Sequence, residues 1–516
     1  MEETEKNGLP PLKTCPILVK VFTWVFGAVF LVVFAAVLFD RQAGVYDQKL
    51  RAASVFLSAL LLSAALAAAA YLLQKYEKPL EKARRILLPC LFAAFFALQL
   101  VFLYFFQVQP TDAWDFGIVA DAAIRMGGEG YTPDVYFSMF PNNIPLFWFW
   151  APFFKILSLC GVTQTQTMML AAGVVNCLLI DAALFLIYRL ARRMLGFSAG
   201  LLTLLLAGMN VSLLLYGPIF YTDTITMLCP AGILNCYLSV RDRWREKKSL
   251  WPPLCAGAAL AVIGGVLKVT VVISLIAVCI AWVVQDGFRP RRLLPACGVL
   301  AAAVLGISLL QFAAVQGMDP PARQENAIPH SHWIMMGLTG NGSYYDPDYQ
   351  LTLSVPAVER PALIRDEIRR RVTAYGPAGL AAHGLRKLAF TWGDGTYLSS
   401  VKIDWGAVDH ENPLRDFFYT DGQWFGIYLV YIDGLQLSML GLLCAGALFI
   451  KRKKRELFAV RLAVFGLLAF LLLWETRSRY LVNMLPLLLL LQAASLCVFT
   501  AWLQKKPWRK QARQQI

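Results

Sequence analysis

Long apolar stretches with almost no charge constrain this chain more than any other sequence feature. A helix needs about 20 apolar residues to cross a hydrocarbon core of about 30 Å, and it satisfies its own backbone hydrogen bonds there. Thirteen segments meet this description or come close to it, and the sequence therefore predicts an all-α polytopic membrane protein. They begin near Ile17, Ala52, Ile86, Asn143, Thr167, Phe197, Asp223, Pro253, Val271, Leu293, Phe425, Leu457 and Tyr480.

The composition agrees with a membrane protein and argues against a nucleic-acid partner. Of the 516 residues, 58% are hydrophobic and 16% are charged, and the net charge is +15. Soluble domains contain roughly 45 to 50% apolar residues. A basic excess often indicates nucleic-acid binding, but a chain with so many uncharged runs meets membrane lipid instead. The run Ile17–Phe39 is too long for a signal peptide and is predicted to be the first span.

Basic residues between the apolar segments predict how the chain crosses the membrane. Positive loops stay in the cytoplasm, and the six basic clusters share that side if twelve segments span and one does not. The odd segment is predicted to be Asn143 to Cys160, an interfacial or re-entrant helix that carries two prolines and Lys155. Both termini are then cytoplasmic. The clusters are Lys75 to Arg85, Arg189 to Arg193, Arg241 to Lys248, Arg289 to Arg292, Lys451 to Arg455 and Lys505 to Arg513.

This topology divides the chain into four regions. Residues 1–85 form a cytoplasmic N-terminus and two additional spans, and residues 86–313 form the transmembrane core, which contains a first outer loop at 107–166. Residues 314–424 form a large extracytoplasmic loop, and residues 425–516 form the last spans and a basic tail. Charged residues at the predicted outer ends of spans are functional candidates, because burying them near lipid is costly.

The first candidates are Asp112 and Asp115, which follow the third span. If the chain turns helical after Pro110, the two carboxylates lie three apart on one face, and either one could accept a proton from a substrate hydroxyl. The structural alternative is that Asp112 caps the helix and Asp115 is a first-turn carboxylate stabilised by the helix dipole. Spacing alone leaves both interpretations open.

Further charged residues occupy other predicted outer turns. Asp223 follows Tyr221 in YTDT, and Lys268 interrupts two apolar runs in LKVT, where a lysine could either meet a lipid phosphate or extend to the interface. The last turn has the sequence ETRSRY, and its charged and aromatic residues suit an anionic ligand. Those residues are Glu475, Arg477, Arg479 and Tyr480.

The large loop contains all four histidines, of which His332 is predicted to contact a sugar or a phosphate. His330 and His332 do not supply a zinc ligand set, and the eleven cysteines are scattered without a CxxC pair, so no metal or disulfide site is predicted. The chain also lacks a P-loop, GxGxxG and GxSxG. These absences argue against nucleotide hydrolysis, dinucleotide redox chemistry and serine-triad chemistry.

Taken in order, these elements resemble the GT-C superfamily of membrane glycosyltransferases. The resemblance rests on the acidic pair after an early span, the element from Phe137 to Asn142 in YFSMFPNN, and the later YTDT, LKVT and ETRSRY, all on one predicted side. The superfamily includes protein O-mannosyltransferases, lipid A aminoarabinose transferases and mannosyltransferase-like relatives. The likeness covers about residues 86–503, and the two preceding spans depart from it.

The resemblance implies that a sugar moves from a polyprenyl-phosphate donor to a cell-envelope glycan, lipid or protein acceptor on the outer face, with inversion. It implies that Asp115 is the general base, with Asp112 as the second choice, and that Asp223 is the second acid. The two acids are three apart here, whereas relatives often have adjacent acids, so the choice between Asp112 and Asp115 stays open. Cations that hold the lipid phosphate correspond to Lys268, Arg477 and Arg479. Glu475, Tyr480, Tyr221, Asn142 and His332 complete the expected substrate site. The resemblance names no certain cofactor and leaves a divalent cation open.

Two other classes of function are compatible with the sequence. A transporter or lipid-linked-sugar flippase places ionisable residues in mid-membrane, and Asp181 is the clearest residue of that kind. A non-catalytic assembly partner would tolerate the loss of all three outer aspartates. The placement of most charges at helix ends favours the glycosyltransferase.

Overall fold

The structure is a computed structural model that describes residues 17–40, 46, 52–127, 135–285, 288, 290–320, 323–448 and 456–504. The described residues are built from helices and contain no β-strand beyond an isolated bridge between Val108 and Ala407. The basic clusters predicted at 451–455 and 505–513 lie outside these residues. The all-α class predicted from the apolar runs is confirmed.

The first two regions of the chain contain fifteen named helices in order. The N-terminal helices are α1 (Ile17–Phe39), α2 (Ala52–Lys75), α3 (Glu77–Lys82) and α4 (Arg84–Phe105). The loop at 107–166 contains α5 (Asp115–Gly127), α6 (Val135–Met139) and α7 (Ile144–Leu159). The core continues with α8 (Thr165–Leu195), α9 (Phe197–Met209), α10 (Val211–Leu215), α11 (Thr222–Ile225), α12 (Leu228–Arg245), α13 (Trp251–Leu267), α14 (Val271–Val284) and α15 (Leu293–Met318).

The large loop and the C-terminal region contain the remaining helices. The loop has α16 (Arg323–Asn326), α17 (Ser331–Met336), α18 (Asp346–Leu353), α19 (Arg360–Gly393), α20 (Ser399–Trp405) and α21 (Arg415–Phe418). The C-terminal region has α22 (Phe425–Leu448), α23 (Phe458–Leu473) and α24 (Leu485–Gln504), the last preceded by a 3₁₀ turn at Ser478–Met484. Helix α19 bends at Gly376 (φ 57°), because Pro377 cannot continue the hydrogen-bond ladder.

Each of the thirteen predicted apolar segments forms a helix, although the helices differ in length. Among the described residues, seven are long and apolar enough to cross a membrane: α1, α2, α4, α8, α15, α22 and the segment Ser478–Ala501. Four more apolar helices, α9, α13, α14 and α23, have 10 to 17 residues. Helix α12 carries several charges, and α7 holds prolines at Pro145 and Pro152.

Helices α22 and α24 form the centre of the bundle. Most of each is buried, whereas α4 and α15 expose most of their apolar side chains, as helices facing lipid do. Helix α22 packs against α1, α2 and α24, and α24 also packs against α8 and α9. Helix α7 packs against α5, where the Gly127 position lies so close to the backbone of Phe154 that a Cβ would sit 2.9 Å from it. This packing holds the two longest helices of the first loop together.

Candidate functional site

Seven charged side chains from separate parts of the chain lie together at one end of the bundle. We call them the charged cluster: Asp115, Asp223, Lys268, Lys402, Glu475, Arg477 and Arg479. Six of the seven were predicted from sequence as site residues, and Lys402 was not. Aromatic rings lie between several of these charges and contact them.

Asp115 is the first residue of helix α5, so the helix dipole favours its negative charge. Tyr136 donates a hydrogen bond to Asp115 Oδ1 (2.7 Å) and accepts one from Asn143 Nδ2 (2.6 Å). The Tyr221 hydroxyl lies 3.0 Å from Asn143 Oδ1 and 3.4 Å from Asp115 Oδ2. Burial, reinforced by the Asp115 charge, raises the pKa of both tyrosines, so both remain hydrogen-bond donors.

Asp112 and Asn142 are exposed, whereas Asp115 and Asn143, which have the same side chains a little further along, are at least partly buried. Asp112 is exposed in the turn before α5, so it does not share a helical face with Asp115. Asn142 is also exposed, and its amide donates to Asn143 Oδ1 at 3.3 Å. The buried amide of Asn143, one residue further along, is the one that joins the Asp115 network.

Asp223 and Lys268 form a buried ion pair with an Oδ1–Nζ distance of 2.5 Å. Asp223 lies in the short helix α11, and Lys268 follows the last residue of α13 in an extended conformation. Burial lowers the pKa of Lys268, and the Asp223 charge opposes that effect. Arg479 Nη1 lies 3.8 Å from Asp223 Oδ2, too far for a hydrogen bond. Asp223 therefore pairs more closely with Lys268 than with Arg479.

Arg479 is surrounded by aromatic rings. Its guanidinium carbon lies 5.1, 5.5 and 5.8 Å from the ring centroids of Tyr480, Tyr221 and Trp114. Its Nε and Nη1 atoms are buried and have no hydrogen-bond partner in the described part of the chain. The cation is thus held by π faces and long-range attraction, and two of its donors remain available.

Glu475 and Arg477 form a second ion pair, between Oε1 and Nε at 3.3 Å. Tyr480 donates to the other carboxylate oxygen of Glu475 at 2.5 Å. Glu475 is nearly fully buried, whereas the Arg477 side chain is 22% exposed. The four predicted residues of the ETRSRY turn therefore lie together, as their spacing suggested.

Lys402 is the functional candidate that sequence reasoning missed. It lies on helix α20, is 2% exposed, and has its ammonium 4.0 Å from the centroid of Trp114 and 3.7 Å from that of Trp405. Burial lowers its pKa, and the cations of Arg479 and Arg477 lower it further, against Asp115 and Asp223. One signal was present in the sequence: Lys402 and Trp405 are three apart, which places them together on a helix.

His332 contacts the interior of the large loop rather than the charged cluster. It is fully buried, and its Nδ1 lies 2.7 Å from Thr352 Oγ1. Burial lowers its pKa to about 4, although Asp348 opposes the shift, so the ring is neutral near pH 7. The neighbouring residue Trp333 provides the link to the cluster, because its carbonyl accepts a hydrogen bond from the Glu475 amide at 2.9 Å.

The large loop holds the turn that carries Glu475. Lys387, which is 1% exposed, donates to the carbonyls of Gly337 (2.9 Å), Leu472 (2.9 Å) and Trp474 (2.8 Å). The Thr476 amide donates to the Gly342 carbonyl at 2.8 Å. Burial lowers the pKa of Lys387 to about 8, with the Glu475 charge acting in the opposite direction. The loop therefore fixes the turn through its backbone.

The described residues do not gather a ligand set for a divalent cation. No group of three or more His, Cys, Asp or Glu side chains occurs in that part of the chain. Two of the three cluster carboxylates are bound instead by cations, and the third accepts from tyrosine.

Comparison with known proteins identifies the family but not an activity. A family model described as conserved hypothetical integral membrane protein matches residues 15–499. The chain belongs to this family. The family region includes every residue of the charged cluster, and the membership agrees with the apolar helices of the fold. No curated protein and no solved structure matches the chain.

Proposed function

We propose that this member of the family is a GT-C-like glycosyltransferase that moves a sugar from a polyprenyl-phosphate donor to an acceptor hydroxyl, with inversion. The observation that carries the proposal is the position of Asp115, a half-buried carboxylate beside four cations that are themselves buried or half-buried. An inverting transfer needs a base at the attacking hydroxyl and positive charge at the leaving phosphate. Both lie within this one cluster.

In this mechanism Asp115 takes the proton of the acceptor hydroxyl while the oxygen attacks the anomeric carbon. Tyr136 and Tyr221 hold the carboxylate oxygens at 2.7 and 3.4 Å, which orients the base. The cations stabilise the charge that develops on the phosphate oxygen as the glycosidic bond to phosphate breaks. The bilayer beside the bundle accommodates the polyprenyl chain.

The proposed topology has twelve spans, with α7 lying at the interface and both termini in the cytoplasm. Positive-inside counting supports this arrangement, since the clusters around Arg84, Arg192 and Arg243 all lie at the helix ends opposite Asp115 and Lys268. The active site then faces the outside of the cell membrane. Acceptors there are envelope glycans, lipids or proteins.

The test compares two neighbouring aspartates. Asp115→Asn keeps the shape of the side chain but removes the base, and transfer from a polyprenyl-phosphate mannose or glucose should fall by about 10² to 10⁴. Asp112→Asn is the matched control, because Asp112 is exposed and outside the network, and it should retain most of the activity. Full activity of Asp115→Asn would remove the proposed base.

A flippase is the second candidate, and one observation favours it. Asp181 lies in the middle of the long helix α8, and its Oδ1 is buried with no hydrogen-bond partner among the described residues. Acids at that depth are typical of transport proteins. Exchange of a lipid-linked sugar across proteoliposomes by the wild type, abolished by Asp181→Asn and unaffected by Asp115→Asn, would favour the flippase.

A further inference from the structure

The four cations of the charged cluster differ in how fully they are neutralised. Lys268 pairs with Asp223 at 2.5 Å, and Arg477 pairs with Glu475 at 3.3 Å. The third carboxylate, Asp115, accepts its hydrogen bond from Tyr136 instead. Two of the four cations therefore already have an anion at short range.

The other two cations, Lys402 and Arg479, have no carboxylate at hydrogen-bonding distance among the described residues, because the nearest one to Arg479 is Asp223 at 3.8 Å. Lys402 lies over the faces of two indoles, and no hydrogen bond from its ammonium to another described residue is found. Arg479 leaves Nε and Nη1 without a hydrogen bond. Buried charged donors are normally satisfied, and a pair that is not satisfied is an argument for a ligand.

A single ring connects the two unsatisfied cations. The centroid of Trp114 lies 4.0 Å from the Lys402 ammonium and 5.8 Å from the Arg479 guanidinium carbon. Trp114 immediately precedes Asp115 in the chain, so an anion bound beside this ring is also next to the proposed base. The position suits the phosphate of a substrate whose sugar reaches Asp115.

We infer that Lys402 and Arg479 bind the phosphate of the donor, whereas Lys268 and Arg477 hold the carboxylates Asp223 and Glu475 in place. The inference rests on the proposed function. It changes the expected role of Lys268 and Arg477, which the resemblance had assigned to the lipid phosphate. It also predicts the phosphate class. Four cations against three carboxylates leave one positive charge, which matches a singly charged phosphodiester rather than a diphosphate.

The charges of the cluster and of the bound phosphate also balance during the transfer reaction. When the acceptor oxygen bonds to the anomeric carbon, the bond from that carbon to the phosphate oxygen breaks and its electron pair stays on the phosphate. The hydroxyl proton moves to Asp115, so the cluster gains one positive charge as the phosphate gains one negative charge. Substrate and product are therefore both neutralised by the same seven side chains.

Binding of farnesyl phosphate to the purified full-length chain in lipid nanodiscs tests the inference. Lys402→Met keeps the stem against the indoles but removes the ammonium, and it should weaken binding by about tenfold or more. Lys402→Arg should bind within about threefold of wild type, because it restores a cation. Arg415→Met is the control, since Arg415 also lies over an aromatic ring in the large loop but pairs with Asp421 outside the cluster.

The outcomes separate this inference from the proposed function. Wild-type binding to Lys402→Met, no binding to the wild type, or farnesyl diphosphate binding more than tenfold tighter than the monophosphate would each overturn the phosphate assignment. Inorganic phosphate that competes with farnesyl phosphate only in chains with Lys402 would support a headgroup site. Sugar transfer that persists in Lys402→Met refutes the inference alone, whereas binding without any transfer refutes the glycosyltransferase alone.

Discussion

Lys387 and Lys402 are two buried lysines of the large loop, and their ammonium groups meet opposite surroundings. Lys387 donates three hydrogen bonds to carbonyls, at 2.8 to 2.9 Å. Lys402 is 2% exposed against 1% for Lys387, yet it lies over two aromatic faces and donates no hydrogen bond to another residue in the described part of the chain. Burial and charge are the same in both. The two lysines differ in whether hydrogen-bond acceptors surround the ammonium. We interpret the lysine with acceptors as one that stabilises the fold and the lysine without them as one that binds a ligand.

The largest expected effect concerns Lys268, and it tests whether this lysine stabilises the fold, as Lys387 does, or is free to bind a ligand, as we infer for Lys402. Asp223→Ala removes the carboxylate paired with Lys268 at 2.5 Å and leaves a buried charge without that partner, which should lower the free energy of unfolding by about 3 to 5 kcal/mol. Thermal unfolding of the purified protein measures the loss. The double variant Asp223→Ala with Lys268→Met should recover most of it. If Asp223→Ala were as stable as wild type, Lys268 would resemble Lys402 in not needing a paired carboxylate for stability.

The second test compares the two lysines directly. Lys387→Met removes the donor to the carbonyls of Leu472 and Trp474, whereas the Gly337 carbonyl keeps its contact with His383 Nε2 at 2.9 Å. The variant should destabilise the protein by about 1 to 3 kcal/mol. Lys402→Met strands no acceptor, so its unfolding temperature should equal or exceed that of wild type. Equal losses in the two variants would contradict the distinction.

The third test uses pH. Burial lowers the pKa of Lys402, and Arg479 and Arg477 lower it further, while Asp115 and Asp223 raise it. A bound phosphate favours the ammonium, so the complex holds the proton more tightly than the free protein does. Affinity for farnesyl phosphate should therefore fall as pH rises, by at most about tenfold per pH unit. Calorimetric titrations above pH 7.5 should show this decline in wild type and a flatter profile in Lys402→Arg.

The smallest expected effect concerns the glycine over Lys387. Gly342 has φ +84°, and a Cβ there would lie 2.6 Å from Lys387 Cε. Gly342→Ala should cost about 1 kcal/mol for the backbone and should also displace the lysine stem. Gly340→Ala is a close control, because Gly340 has φ +55° and open space around its Cβ position. Equal unfolding temperatures for the two variants would show that Gly342 does not hold Lys387.

Sequence reasoning located the helices because apolar length is a local property. Each predicted segment, from Ile17 to Tyr480, corresponds to a helix, and the acids and bases assigned to the ends of spans came together. The resemblance to glycosyltransferases remains a proposal, since the family carries no assigned activity.

The details that sequence did not reveal depend on tertiary contacts or on single turns. Lys402 joins the charged cluster because Trp114, far away in the chain, packs over it. The 3₁₀ turn Pro141–Asn143 decides that Asn143 rather than Asn142 faces inward. Likewise, the start of α5 at Asp115 leaves Asp112 outside the helix. The spacing of apolar residues does not predict at which residue such a turn begins or which side chain it directs inward.

The order of the cluster along the chain has a consequence for biosynthesis. Asp115 emerges from the ribosome soon after α4, whereas Glu475, Arg477 and Arg479 come from the turn before α24. Until the final helical hairpin inserts, Asp223 and Lys268 lack the guanidinium beside them, and the large loop lacks the turn that Lys387 holds. The cluster is therefore completed only after α23 and the turn before α24 have been made, so a chain interrupted before α23 contains the earlier helices without the complete cluster.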